Sequence, residues 1–85
     1  MVIKIKRKLQ TEQMKITTEF IKLDSFLKFV GLVQTGGEAK QWIENKRVLV
    51  NGEICTMRGR KLRNQDRVRL GQREIEVISG EDKQA

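Results

Sequence analysis

Four basic residues fall within six positions near the middle of the chain, and no acidic residue interrupts them: Arg58, Arg60, Lys61 and Arg63. Guanidinium and ammonium groups bind phosphate oxygens, and arginine also stacks on exposed bases. The run therefore predicts contact with a polyanion, above all RNA. The alternative is a solvated surface loop, although such a loop more often mixes the two signs of charge.

A second candidate anion site lies at Thr35-Gly36-Gly37, where a helix is predicted to begin. Thr35 and Glu38 match the capping-box pattern, in which each side chain accepts the other residue's backbone amide. Exposed amides at a helix N-terminus attract phosphate, and glycine permits its close approach. The alternative is a plain helix cap with two flexible glycines. No Gly-Lys-Ser/Thr follows, which excludes a nucleotide-binding P-loop.

Other basic residues can extend these sites or serve only solubility. Lys40, Lys46 and Arg47 lie on and just after the same predicted helix. The lysines at positions 4, 6 and 8 can form an accessory arm or protect a strand edge. With the turn residue Asn51 added, the candidate RNA-binding residues are Thr35, Gly36, Gly37, Lys40, Lys46, Arg47, Asn51, Arg58, Arg60, Lys61 and Arg63.

The charge and the reactive residues favour binding over catalysis. The 85 residues carry a net charge of +7, and residues 46–73 hold nine basic residues against two acidic ones, which accounts for the whole excess. There is no histidine, and the acidic residues show no paired spacing. The lone Cys55 can form neither an internal disulfide nor a cysteine metal cluster, and we expect it half-buried in a strand. We therefore expect no catalytic site, no metal and no cofactor.

The same sequence suggests where the protein acts. No segment approaches the apolar length of a transmembrane helix. The basic N-terminus is followed by no apolar stretch and cleavage site of the secretory type. We expect a cytoplasmic monomer that does not bind membranes.

Apolar spacing predicts two short helices. The first covers about residues 23–31, ends at Gly31, and carries one stripe at i, i+3, i+4 and i+7 formed by Leu23, Phe26, Leu27 and Val30. The second runs from the Thr35 cap to about Asn45, which can take a left-handed exit conformation. Its buried face is predicted to comprise Ala39, Trp42 and Ile43, whereas Phe29 is expected to be partly exposed. With four aromatic residues in the chain, recognition by shape and phosphate positions fits better than base-by-base reading.

The remaining pattern predicts a small, mainly antiparallel sheet and hence a single α+β domain. Asn51-Gly52 between β-rich flanks predicts a type I′ hairpin. Residues 2–6 are predicted as an edge strand, 16–21 as an extended lead-in, 57–63 as a basic loop, 64–66 and 71–73 as turns, and 74–78 as a last strand with Ile75 and Val77 inward. No element is assigned to residues 7–15. The predicted organisation is an N-terminal strand or arm (1–15), one domain (16–78) and a flexible tail (79–85).

The order of these motifs resembles the RNA-binding S4 domain family. The residues that carry the resemblance are Leu23-Asp24 and Leu27, Thr35 and Ala39, Ile43, Val48, Val50-Asn51-Gly52, then Leu62, Asp66 and Val68. They span about residues 21–78. The segments GLVQTGGEAK and RGRKL most resemble the small stand-alone bacterial members of the YaaA/YbcJ type.

The resemblance implies an alpha-L architecture, in which two helices and a hairpin-containing sheet place a basic face against structured RNA, often ribosomal or transfer RNA. Two positions depart from the family pattern. Gly36 stands where many members have arginine, which shifts the expected contacts from the cap to the basic loop. Gln65 stands where the final turn usually has glycine, so we expect a strained or different turn there.

We therefore predict a non-catalytic protein that docks on structured RNA, with ribosomal RNA as the first choice, through a basic face. Two alternatives remain open at this point. One is an adaptor whose basic surface meets an acidic protein in a ribosome-assembly or replication complex. The other is a DNA-binding protein.

Overall fold

The computed structural model describes residues 10–79 of the chain. In chain order their elements are β1 (Gln10–Ile16), β2 (Ile21–Lys22), α1 (Leu23–Phe29), α2 (Gly36–Glu44), β3 (Val48–Val50), β4 (Glu53–Ile54), β5 (Lys61–Leu62), β6 (Arg67–Leu70) and β7 (Arg73–Ser79). The predicted strand at residues 2–6, the lysines at positions 4, 6 and 8, and residues 80–85 of the predicted tail lie outside the described residues.

Five strands form one sheet in the order β1-β7-β6-β3-β4, and β2 pairs with β5 in a separate two-stranded ribbon. Every strand pair is antiparallel except β1 with β7, which run parallel. The prediction of two helices with a mainly antiparallel sheet is therefore confirmed in outline. The correction is that the sheet is mixed.

Strand β1 covers residues to which the sequence pattern assigned no element, and it crosses the predicted boundary between residues 15 and 16. Its Glu12, Met14 and Ile16 share the inner face with the buried residues of β7. A glutamate at an inward position breaks the apolar alternation that marks a strand. It is accommodated because the Arg73 guanidinium donates two hydrogen bonds to the Glu12 carboxylate, at 2.9 and 3.0 Å.

The core is one cluster of buried side chains from the helices, one face of the large sheet, strand β5 and the connecting segments. The predicted stripe of α1 is confirmed at Leu23, Phe26 and Leu27, which are fully buried, whereas Val30 is the residue that caps the end of the helix and is partly buried. The inward orientation of Ile75 and Val77 is confirmed as well. The other fully or almost fully buried contributors from α2, β3, β5 and β6 are Ala39, Ile43, Val48, Val50, Leu62 and Val68.

Both helices end close to their predicted limits. Helix α1 stops at Phe29, and Gly31 then turns the chain with a φ of +82°. Helix α2 ends at Glu44, but Asn45 has a φ of −85°, so its predicted left-handed conformation is wrong. Because the Asn45 amide still donates to the Gln41 carbonyl at 3.0 Å, the chain turns one residue later, at Lys46 with a φ of +61°. Neither helix of residues 10–79 is long and apolar enough to cross a membrane.

The prediction that Trp42 belongs to the core is wrong, because this residue is 36% exposed. Ala39 and Ile43 lie four residues apart on one line of α2, whereas Trp42 is rotated about 100° from Ile43. The indole therefore covers only the flank of the buried stripe. The expected exposure of Phe29 is confirmed at 55%.

The Asn-Gly hairpin has the geometry that its sequence predicts. Asn51 and Gly52 have φ values of +53° and +86°, as a type I′ turn requires. The turn joins β3 to β4, with Val50 opposite Glu53. Cys55 follows β4 rather than lying in it, is 7% exposed, and donates its amide to the Val48 carbonyl at 3.0 Å. It is thus more buried than expected.

Candidate nucleic-acid interface

The backbone of the predicted basic loop closes the N-terminus of α1. The Arg60 carbonyl accepts the Leu23 amide at 2.9 Å, and the Arg58 carbonyl accepts the Asp24 amide at 3.2 Å. The N-cap of α1, Lys22, makes no side-chain cap bond, so these carbonyls satisfy helix-start amides that would otherwise lack a partner. Because only the carbonyls of the segment are used in this anchoring, the side chains of Arg58 and Arg60 project from a fixed backbone. Arg58 is exposed and Arg60 is partly buried.

The second half of this segment is a strand rather than a loop. Lys61 and Leu62 form β5, which pairs antiparallel with Lys22 and Ile21 of β2. Leu62 is fully buried, whereas Lys61 and Arg63 are exposed. The buried Leu62 anchors the backbone between two basic residues, so Lys61 and Arg63 project from a fixed strand towards solvent.

Lys61 and Arg63 both lie against the ring of Phe20, a residue that the sequence reasoning did not select. The Lys61 Nζ is 4.8 Å from the ring centroid, and the Arg63 Cζ is 5.3 Å from it. Both distances fall within the range of cation–π contacts. Arg63 also lies 3.6 Å from a Glu19 carboxylate oxygen, but both side chains are mostly exposed, so this ion pair contributes little.

The candidate residue Asn51 is engaged within the protein. Its Nδ2 donates to Asp66 Oδ1 at 3.1 Å, and its Oδ1 accepts the Arg67 amide at 3.0 Å. Asp66 Oδ2 in turn accepts the Arg63 amide at 2.8 Å. The hairpin turn therefore holds the end of the basic segment through Asp66, which is a positioning role that the sequence motif alone did not reveal.

The turn at residues 64–66 contains the unusual glutamine noted in the sequence. Gln65 has a φ of +76°, a conformation in which a side chain is unfavourable and glycine is preferred. Its amide donates to the Val77 carbonyl at 2.7 Å, and the Asp66 carbonyl accepts the Val77 amide at 2.8 Å. The expectation of a strained turn is confirmed, and β7 holds the strained residue in place.

The start of α2 is capped as predicted on one side only. Thr35 Oγ1 accepts the Glu38 amide at 3.0 Å, but the Glu38 carboxylate accepts the amide of Gln34, at 2.9 Å, rather than that of Thr35. Gly36 and Gly37 are exposed, and neither has a positive φ. A Cβ at Gly36 would meet nothing within 4 Å, and one at Gly37 only Thr35 Oγ1 at 3.9 Å, so the fold itself does not demand glycine at either position.

The three basic residues associated with α2, Lys40, Lys46 and Arg47, are all exposed. The amides of Lys46 and Arg47 donate to the carbonyls of Ile43 and Trp42, each at 3.0 Å, which fixes the backbone after the helix. No hydrogen bond or ion pair within residues 10–79 links these side chains to the 58–63 segment. They are therefore separate candidates and not members of one bonded cluster.

Three arginines of the large sheet lie opposite or beside carboxylates, whereas within residues 10–79 only Arg63 of the 58–63 segment has an ion-pair partner. Arg67 lies opposite Glu76 and Arg69 opposite Glu74 on the outer face of the β6–β7 pair, and Arg73 is paired with Glu12. Across the described residues, the ion pairs involve only Arg63 and Arg73 among the basic side chains. Arg58, Arg60 and Lys61 form no ion pair within the described residues and stand within four consecutive positions, so unpaired positive charge is dense there; Lys40, Lys46 and Arg47 are unpaired as well.

Comparison with known proteins defines the class to which this fold and basic segment belong. The family profile of the S4 domain matches residues 14–78, which covers most of the chain and both helices of the described part. The chain belongs to the S4 domain family, and the resemblance seen in its motifs is confirmed.

One relative narrows the comparison further. The chain is 49% identical over 47 residues to the probable ribosome maturation protein RlbA of Bacillus subtilis (strain 168). The aligned segment covers 55% of this chain and 66% of that relative, which is just under two thirds of the relative's length.

Proposed function

We propose that this protein is a non-catalytic RNA-binding protein that docks on structured RNA through the basic segment, residues 58–63. The observation that carries the proposal is the combination of a fixed backbone with uncompensated charge. Two carbonyls of the segment are bonded to α1, and Asp66 holds the Arg63 amide, while Arg58 and Lys61 remain exposed. Such side chains neutralise phosphates and release counterions at a small cost in ordering.

The proposed target is ribosomal RNA, with transfer RNA as the second choice. Membership of the S4 domain family supports RNA as the ligand, and the name of the Bacillus subtilis relative supports a role in ribosome maturation. The proposal includes the alpha-L arrangement of the domain and action as a monomer in the cytoplasm. It includes no catalytic step, cofactor or metal.

The other candidate residues have graded parts in this proposal. The exposed amides of Gly36 and Gly37 provide a second seat for a phosphate next to the Thr35 cap. Glu38 places a carboxylate close by, on the Gln34 amide, which weakens that seat relative to the basic segment. Lys40, Lys46 and Arg47 extend the contact area, whereas Asn51 acts through Asp66 by positioning Arg63.

The test is a filter-binding titration of ribosomal RNA fragments against a matched pair of triple variants. R58A/R60A/K61A removes three charges from the basic segment, and K15A/R67A/R69A removes three from the outer face of the large sheet. Each lost phosphate contact lowers the slope of log K against log salt by about 0.7–0.9. For the first variant we expect the slope of log K against log salt to become shallower by about two to three, and most of the affinity for RNA to be lost. The control variant retains both, because two of its arginines lie opposite carboxylates.

Three outcomes would overturn the proposal. An unchanged slope and affinity in R58A/R60A/K61A, with its thermal unfolding also unchanged, would remove the basic segment from the interface. Preference for duplex DNA over folded RNA in direct competition would show that the ligand is DNA. Co-purification of a protein partner that survives RNase treatment, without RNA binding by the purified protein, would favour an adaptor instead.

A further inference from the structure

The two-stranded ribbon places an aromatic ring among cations on one surface. In the β2–β5 pair, Ile21 lies opposite Leu62 and Lys22 lies opposite Lys61. Successive side chains of a strand point to opposite faces. Leu62 is fully buried, so the opposite face of the ribbon carries Lys22 and Lys61, and Phe20 and Arg63 extend that face by the same alternation.

Phe20 is held in this position without belonging to the core. It is partly exposed and is absent from the cluster of buried and partly buried residues that forms the core among residues 10–79. Its carbonyl accepts the Thr18 hydroxyl at 2.8 Å, and the Thr18 carbonyl accepts the Ser79 hydroxyl at 3.3 Å. The Thr18 side chain within this short turn and the Ser79 side chain from β7 thus fix the backbone that presents the ring.

We propose that Phe20, Lys61 and Arg63 form a nucleotide seat that takes one unpaired nucleotide of the bound RNA. The base stacks on the Phe20 ring or on the Arg63 guanidinium above it, and the adjoining phosphate is bound by Lys61, with Lys22 beside it. This inference rests on the proposed function and deepens it. It implies that the preferred RNA carries an unpaired nucleotide next to its folded segment.

The chemistry of the nucleotide seat suits a nucleotide better than a bare phosphate or a protein carboxylate. An aromatic face binds any base by stacking, and arginine adds a second planar surface. The two cations, at 4.8 and 5.3 Å from the ring centroid, put positive charge next to the ring, which suits the phosphate that adjoins a stacked base. The competing Glu19 carboxylate is 82% exposed and 3.6 Å from Arg63, so a phosphate displaces it easily.

The competing explanation is a structural role for the ring, since cation–π contacts stabilise a ribbon whose strands are two residues long. The two roles differ in what they change. Loss of a stacking surface lowers affinity for RNA that has an unpaired nucleotide and leaves the salt dependence unchanged, because no charge is lost. Loss of a structural contact lowers the unfolding temperature and weakens binding to every RNA.

The test compares two synthetic probes: a blunt RNA hairpin and the same hairpin with a single-stranded uridine extension. The variant F20L keeps an apolar side chain but removes the stacking face, and F29L makes the same change at the exposed phenylalanine of α1 as a matched control. We expect F20L to weaken binding of the extended hairpin by about 5- to 150-fold, the range for loss of one base stack. Its salt slope, its binding of the blunt hairpin and its unfolding temperature stay as in the wild type. F29L binds both probes normally.

A second readout follows stacking directly. The double variant F20W/W42F moves the single tryptophan of the chain from position 42 to position 20. We expect the fluorescence of this tryptophan to be quenched by the extended hairpin and not by the blunt one. Equal affinity of the wild type for both hairpins, together with normal binding by F20L, overturns the inference and leaves the proposed function standing. A lowered unfolding temperature in F20L with equal losses on both probes also overturns it in favour of the structural role. Failure of the wild type to bind any RNA removes the proposed function and this inference with it.

Discussion

Asn51 connects the geometry of the hairpin to the position of the basic segment, and two substitutions separate its contributions. N51A removes the hydrogen bonds to Asp66 and to the Arg67 amide, and it also places alanine at a φ of +53°. N51G removes the same two hydrogen bonds but tolerates the positive φ. The difference between the variants therefore isolates the backbone contribution.

The size of each effect follows from these contacts. Loss of two hydrogen bonds at about 0.5–1.5 kcal/mol each costs both variants about 1–3 kcal/mol. A left-handed alanine adds about 1–2 kcal/mol, of which the greater freedom of unfolded glycine offsets about 0.5–1 kcal/mol. We therefore expect N51A to be less stable than N51G by roughly 0.5–1 kcal/mol. For a domain of this size, each kcal/mol lowers Tm by about 4–8 °C.

Thermal unfolding followed by circular dichroism measures both differences. We expect the wild type to have the highest Tm, N51G a lower one and N51A the lowest. If N51A melted together with the wild type, the hydrogen bonds to Asp66 and Arg67 would contribute nothing. If N51G melted below N51A, the argument from the left-handed turn would be wrong.

Three further variants test single features. Q65G removes the side chain from a residue with a φ of +76° and raises the free energy of unfolding by about 1 kcal/mol, whereas Q65A brings no such gain. Equal stabilities of Q65G and the wild type would show that Gln65 is not strained. G36A raises stability by about 0.4–1 kcal/mol while lowering RNA affinity, and unchanged affinity would remove the phosphate seat at the cap. T35A lowers stability by about 1 kcal/mol and T35S restores it; a neutral T35A in urea titrations would mean that the cap is dispensable.

Local chemistry made parts of this fold predictable from sequence. The Asn51-Gly52 turn and the Thr35 cap depend on neighbouring residues only, and both occur where their motifs place them. The apolar stripe of α1 was readable because its period matches a helix. Strand β1 was not readable, because its inward Glu12 is explained only by Arg73, which lies far away along the chain.

The site was partly predictable for the same reason. The run from Arg58 to Arg63 can be recognised from its composition. Its backbone role as a cap for α1 cannot, because it depends on hydrogen bonds to a segment far away along the chain. Phe20 could not be selected from the sequence, because its contact with Lys61 and Arg63 depends on the register of β2 against β5. Trp42 was misassigned because being next to the buried Ile43 in sequence does not place two side chains on one face of a helix.

Crosslinking in cells, followed by sequencing of the bound RNA, tests the central claim most directly. The proposal predicts ribosomal RNA enriched with the wild-type protein, and similar enrichment with K15A/R67A/R69A. It predicts loss of that enrichment with R58A/R60A/K61A expressed at the same level. Absence of crosslinked RNA from the wild type, or equal recovery of the same RNA with R58A/R60A/K61A, would contradict an RNA interface centred on the basic segment.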